Sequence, residues 1–329
     1  MLLNFRLGSI PVRVHGSFLL IVAMLGLNPG LGLLGLAQWI VVVFVGVLLH
    51  ELGHALVGRS FGLTPQIDLV GFGGLTSWSA GNARELGAGK RIAISLAGPF
   101  TGIAIGVGYA IYLRTRAGLP PFSFFDHETP DSTIVFVNAW WGVLNLLPIL
   151  PMDGGNVLFQ SLNWLTKGRG EKPARLVSAA IAVVAAVCAY VFWKSIYGAG
   201  LAGIFAFQNI QAYRAASARE DDAPLRERLK AGFGALEHGD PNDAIRVAGE
   251  VLSQAADPAV RTDGVRLLAF GYLLSRRWED LAALMESPAS SVLADAEMSK
   301  FEQAAKELEQ PAVAERLRAV RERRRSPKF

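Results

Sequence analysis

The stretch LLHELGHAL, positions 48–56, closes the apolar run WIVVVFVGVLL and places two histidines and a glutamate in it. An ionisable group inside an apolar membrane span costs about 2.5–3.5 kcal/mol on insertion scales. Something must offset that cost, and metal chemistry does so. His50 and His54 stand four residues apart. On a helix they share a face, and both imidazoles can reach one ion at roughly 2.0–2.1 Å. Glu51 sits about 100° round the same helix, where it can reach a water on the ion without ligating the metal. The pattern H-E-x-x-H thus reads as a zinc site. The ion lowers the pKa of a water to about 7, and Glu51 removes and relays its proton. Two histidines near a helix end with a glutamate in a polar pocket would give the same five letters. The intramembrane setting favours the metal, because ionisable groups there are functional by default.

A catalytic zinc takes three protein ligands and keeps one position open. The only cysteine, Cys188, lies in an apolar run, which excludes an internal disulfide and a cysteine-based zinc site. His15 precedes the first span, His127 falls in an expected outer loop, and His238 lies in the polar C-terminal part. Asp153 is better placed, near the end of NLLPILPMDGG, Asn145 to Gly155. It reads equally as a turn residue before Gly154-Gly155; its expected depth beside the histidines favours the ligand. Asn145 and Pro148 interrupt an otherwise apolar helix, the proline freeing a backbone carbonyl and the asparagine able to bond to backbone or substrate.

These residues need elements that carry them to one place. The chain has 329 residues, 51% of them hydrophobic and 18% charged, against roughly one-quarter charged for a soluble domain. Apolar runs dominate from Phe18 to Ile210, and the chain turns polar after Tyr213. This predicts a mainly α polytopic membrane domain, 1–213, followed by a soluble helical domain, 214–329. About six stretches are long enough to span, each needing roughly 20 apolar residues: Ser17–Leu34, Leu36–Val57, Arg91–Leu113, Thr133–Leu150, Leu176–Trp193 and Ile196–Tyr213. The first is broken by Asn28-Pro29-Gly30, and the last two are joined so closely that one bent unit fits as well. Lysine and arginine are enriched in alternate loops, the N-terminal segment, 58–91 and 153–175. That bias predicts both termini in the cytoplasm. The second and fourth spans then end on the cytoplasmic side, at the depth of His50, His54 and Asp153. The N-terminus lacks the pattern of a cleavable signal peptide. A net charge of +4 does not point to nucleic acid.

With the metal motif, the Asn145/Pro148/Asp153-Gly154 pattern and Ala97-Gly98-Pro99 in the third span, the chain resembles the site-2 protease family of intramembrane zinc metalloproteases. The resemblance covers roughly residues 1–213. It implies that His50, His54 and Asp153 bind zinc, that Glu51 is the general base and that Asn145 helps to hold the substrate or oxyanion. It also implies membrane-anchored protein substrates cut within or near the bilayer, and a bacterial cytoplasmic membrane as the location. The sequence departs from common family members in lacking an inserted PDZ-like domain and a CBS-type nucleotide module, so no nucleotide is expected.

A substrate helix hides its peptide bonds in its own hydrogen bonds, and an extended strand must be held for cleavage. Residues 66–78, QIDLVGFGGLTSW, predict a β-hairpin at the membrane surface with its turn at Gly73-Gly74. Its free edge can bind unwound substrate by strand addition; a plain connecting hairpin is the alternative. Gly98, Gly102 and Gly106, at every fourth position, predict close helix packing. In the C-terminal part, ALEHGDPNDAIRVAGEVL and YLLSRRWEDLAALMES align at an offset of about 37 residues, near the period of tetratricopeptide repeats. Such a solenoid offers a concave face to a cytosolic protein partner, although a generic helical bundle fits the same pattern. The competing reading of the whole chain is a catalytically silent membrane scaffold that recruits partners through this domain. Glu51 argues against it, since a structural zinc site needs no general base.

Overall fold

The computed structural model describes residues 2–27, 32–71, 73–79, 86–117 and 129–325. The Asn28-Pro29-Gly30 break, His127 and residues 326–329 lie outside them. Contacts divide the chain into two compact units, Met1–Tyr213 and Arg214–Phe329.

The first unit opens with two strands, β1 (Leu3–Leu7) and β2 (Ile10–Val14), followed by helices α1 (Gly16–Leu25) and α2 (Gly32–Ser60). Strands β3 (Pro65–Val70) and β4 (Gly73–Trp78) come next. The hairpin expected at 66–78 is present but is only half of a four-stranded sheet in the order β1-β2-β3-β4. Its turn lies earlier than expected, at Gly71 with φ of 58°, and Gly73 and Gly74 belong to β4. Strands β2 and β3 pair in parallel, Val12 opposite Ile67, which demands a crossover; α1 and α2 provide it. The sheet turns Ile10, Val12, Val14, Ile67 and Leu69 onto Phe18, Val22, Val47 and Ala55 of these helices. The N-terminal strands escaped the sequence reading because LNFRLGSIPVRV is short and broken by Gly8, Ser9 and Pro11, and its alternation shows only once β3 covers one side.

Helix α3 (Ala88–Ala117) packs along α2. The stretch expected as one span over Thr133–Leu150 is not one continuous helix. It folds as α4 (Pro130–Val135), a π-helical turn Phe136–Trp140 and α5 (Trp141–Asn145), and Leu146–Met152 is non-helical. Asp153 then begins α6 (Asp153–Leu165), a helix inside the expected 153–175 loop. Helices α7 (Glu171–Val191) and α8 (Ile196–Asp221) complete the unit. Among the described residues, α2, α3 and α7 are long and apolar enough to cross a membrane. Their exposed Val41, Leu56, Phe100, Ile111, Val184 and Val187 are the surface that such helices present to lipid. Helix α1 has only ten residues, and α8 carries Gln208, Asn209 and Gln211 along its length.

The second unit holds α9 (Ala223–Glu237), α10 (Pro241–Gln254), α11 (Pro258–Leu274), α12 (Trp278–Glu286), α13 (Asp295–Glu307) and α14 (Pro311–Arg325). They form three helix pairs with the same turn inside each. A left-handed residue closes the first helix: Gly239 at φ 80°, Arg276 at 57° and Glu309 at 58°. The next amide then bonds five residues back, Asp240 to Ala235, Arg277 to Tyr272 and Gln310 to Ala305, at 2.8, 2.9 and 2.8 Å. This is the Schellman closure of a helix end. Leu229, Val247, Val251 and Leu267 pack one part of the core, and Leu281, Met285, Phe301 and Leu317 the other.

Ion pairs tie the last pairs together. Arg316 bonds Glu286 and holds its carboxyl below the usual range; Arg325 and Arg321 do the same for Asp295, and Lys306 and Arg321 for Glu302. A carboxyl lowered on folding adds stability above its unfolded pKa of about 4 and loses it as pH falls. Residues 214–325 are therefore expected to unfold at a lower temperature at about pH 3.5 than at pH 7. Pulse proteolysis of the detergent-solubilised full chain across a temperature series measures this; equal midpoints would refute it.

Candidate metal centre

The depth at which α2 meets α3 fixes the site. Gly53 faces Ala97 and Thr101, and a Cβ on it would stand 2.7 Å from the Ala97 carbonyl. The helices approach to backbone contact there, the geometry that small residues permit. Next to Ala97, Gly98 faces the two imidazoles. A Cβ at Gly98 would collide with His54 Nε2 and sit 2.7 Å from His50 Nε2, so this glycine keeps open the space in front of both nitrogens. Gly102 and Gly106 repeat the contact against Asn138 and Ala139 of the π-helical turn. All three glycines spaced four apart therefore serve close packing, and the first also shapes the site.

The loop after α5 brings Asp153 to the same spot. His50 Nε2 lies 3.1 Å from Asp153 Oδ2, His54 Nε2 lies 3.3 Å from it, and the two Nε2 atoms are 3.2 Å apart. Bonds of roughly 2.0–2.1 Å to a tetrahedral ion put ligand atoms about 3.3 Å from one another. The triangle thus has the size of one face of a zinc tetrahedron. His54 Nδ1 donates to the Ile94 carbonyl at 2.6 Å, which fixes its tautomer and turns the Nε2 lone pair inward. Both histidines are buried. His50, His54 and Asp153 form a group able to hold a metal ion.

Glu51 is buried on α2 and reaches the edge strand of the sheet. Thr76 Oγ1 on β4 donates to Glu51 Oε2 at 2.6 Å. Gly74 leaves room for the glutamate, since a Cβ there would stand 2.6 Å from its carboxyl carbon. Asn145, at the end of α5, donates Nδ2 to the Trp141 carbonyl at 2.9 Å and lines the same cavity as His50, Glu51, Thr76 and Asp153. All five sequence-derived site residues therefore border one cavity. Thr76 and Ile94 were not foreseen. Thr76 sits in an ordinary alternating strand, and Ile94 contributes only its carbonyl, which every residue has.

The chain is similar to known metalloproteases. A profile described as peptidase family M50 matches residues 123–191, a stretch that includes Asn145 and Asp153. A Synechocystis protein named as an inferred zinc metalloprotease is 28% identical over 361 residues, spanning 95% of this chain and 90% of its own length. A zinc metalloprotease of Methanocaldococcus jannaschii is 29% identical over 160 residues, 47% of this chain and 43% of the relative, so the chain spans less than half of that protein. The chain is a zinc metalloendopeptidase. Among solved structures, a site-2 protease from Methanocaldococcus jannaschii aligns over 64% of this chain and 95% of its own, at 25% identity and a TM-score of 0.45, below the level that assigns a fold. With α2, α3 and α7 apolar enough to span a bilayer, this metalloendopeptidase is an integral membrane protein.

Two outcomes follow from the geometry. Gly98→Ala is expected to leave the purified protein with a small fraction of the wild-type zinc, measured by elemental analysis; full zinc content would refute the cradle. Thr76→Val is expected to lower kcat by about 10-fold or more while zinc content stays at the wild-type level, with Thr76→Ser recovering most of the loss. An unchanged kcat would show that the hydroxyl does not orient Glu51.

Proposed function

We propose that the chain is a site-2-type intramembrane protease that hydrolyses peptide bonds of membrane-anchored proteins within or near the bilayer. The reading is carried by one observation: two imidazoles and a carboxylate, from elements about 100 residues apart in sequence, converge at zinc-ligand spacing. In it, His50, His54 and Asp153 hold the zinc. Zinc bound there supplies a Lewis acid and lowers the pKa of a water to about 7. Glu51 takes the proton from the attacking water and returns it to the leaving amide nitrogen. Thr76 occupies Glu51 Oε2 and leaves Oε1 for that transfer. Asn145 has one amide hydrogen engaged by Trp141, and the other is free to hold the oxygen of the scissile carbonyl.

The substrate strand lies along β4. Val70 and Gly73 flank a two-residue turn and form a hydrogen-bonded pair. Hydrogen-bonded pairs then recur at every second residue, and Ser79 N to Thr64 O at 3.1 Å keeps the alternation. The outward amides of β4 are therefore those of Gly74, Thr76 and Trp78. Leu69 belongs to the interior strand β3, where its carbonyl accepts from His15 N, so the free edge is β4 and not β3.

About six spans, with both termini and the site toward the cytoplasm, complete the proposal. The parallel pairing of β2 with β3 supports it, because the segment holding α1 and α2 must leave and return to the same face of the membrane. The second unit is read as a tetratricopeptide-like array that takes a cytosolic protein partner. Its three left-handed turn residues, 37 and 33 residues apart, lie near the period of about 34 residues of such repeats.

Glu51→Gln is expected to retain zinc and lose cleavage by about 10³-fold or more, and to accumulate uncut membrane proteins in a comparison of membrane proteomes. Retained cleavage would reject the base assignment. For the strand, Leu75→Cys in a Cys188→Ala background is expected to cross-link to cysteines scanned through a substrate with a period of two residues, as strand pairing requires. A period near 3.6 would mean that the substrate stays helical.

A further inference from the structure

The non-helical segment Leu146–Met152 delivers Asp153, and the polar groups at its middle lie where water does not reach. Leu150, three residues before the aspartate, is buried, and so is Ile149. Backbone amides and carbonyls outside a helix are tolerated at membrane depth only when protein groups satisfy them. Two side chains from later helices do so. Ser178 on α7 accepts the Leu150 N–H at 3.1 Å and places its own hydroxyl 3.3 Å from the Pro148 carbonyl. Asn209 on α8 donates Nδ2 to the Leu150 carbonyl at 2.6 Å and to the Phe205 carbonyl at 2.8 Å. The amide orientation is set by Arg175, whose Nη1 lies 3.4 Å from Asn209 Oδ1. Ser178 and Asn209 are 0% and 1% exposed, so neither is a surface group that happens to touch the loop.

Both polar groups of Leu150 are thus held from outside the segment, one by each helix. Below them the loop packs through Ile149 onto Ala182 and Ala206, and Gly155 admits the backbone at Ile149 and Leu150 without a side chain between. This leaves the start of α6, and with it Asp153 Oδ2, one place to stand relative to the imidazoles on α2.

We propose that Ser178 and Asn209 are positioning residues for the metal centre: by clamping the two faces of Leu150 they hold Asp153 at ligand distance from His50 and His54. The inference rests on the three-ligand reading above and concerns metal binding, not the identity of the substrate. Nothing in their own sequence neighbourhoods, RLVSAAIAV and FAFQNIQAY, marks them for it. They act through the backbone, whereas the histidines do not depend on them.

The test uses the full chain in detergent, with zinc competed against a chelating indicator and with Co2+ as a spectroscopic probe. Ser178→Ala removes one oxygen atom, and Asn209→Leu keeps the volume while removing the amide. Each is expected to weaken zinc by about 10-fold and to change the visible Co2+ spectrum as the carboxylate leaves its position. If Asn209→Leu does not fold, Ser178→Ala carries the test alone. In an Asp153→Ala background the same changes are expected to cost nothing further, because the clamp acts only through the aspartate. Unchanged zinc affinity in the single variants overturns the proposal, as does an equal loss in the Asp153→Ala background, which would mark general loosening. A wild-type chain that takes up no zinc would sink the three-ligand reading as well. A wild-type chain that binds zinc but cuts no membrane protein would leave the clamp standing and refute only the proposed substrate class.

Discussion

Backbone contact between α2 and α3 is the constraint from which the site follows. Two imidazoles in an apolar setting are costly unless something receives their lone pairs, and they can face a common centre only if no side chain intervenes. Gly53 lets α3 come in against Ala97 and Thr101, and Gly98 then presents bare backbone to both Nε2 atoms. The same approach brings the Ile94 carbonyl to His54 Nδ1. Further along α3, Gly102 and Gly106 let the π-helical turn come equally close, and that turn leads through α5 to the Asp153 loop. One run of small residues thus sets the spacing of three elements.

The histidines and Glu51 were legible because their spacing on a helix is itself the signal, and a helix is what an uninterrupted apolar run forms. Asp153 was legible for a weaker reason, the depth that the expected spans gave it. It starts a helix after an irregular turn and does not close one, a difference that comes from Asn145 and Pro148 ending α5 early. The sheet was read only in part. Strands β3 and β4 show alternation and glycine in one stretch, whereas β2 depends on a parallel partner more than 50 residues later, and no local pattern reports that. Groups that act through a main-chain atom, such as Ile94, leave no trace in residue type at all.

The second unit teaches the converse. Its repetition is faint in residue identity because the position that recurs is conformational. Gly239, Arg276 and Glu309 share the left-handed region and the hydrogen bond that follows it, but they have nothing chemical in common. Glycine adopts that conformation without strain, whereas arginine and glutamate do so at a cost that the closed helix end offsets. Aligning by residue type finds the apolar positions and misses the hinge between the helices of each pair.

The parallel seam between β2 and β3 has a bearing on how the molecule is made. Strands β1 and β2 are made before their partner β3, which arrives only after α1 and α2 have been synthesised. Until then β2 offers an unsatisfied edge, and the early hairpin must wait for that edge to be covered. Assembly of the sheet therefore reports that the intervening segment has brought its two ends side by side. A chain that folded otherwise would have no seam to close, and Glu51 would lack the strand that holds it.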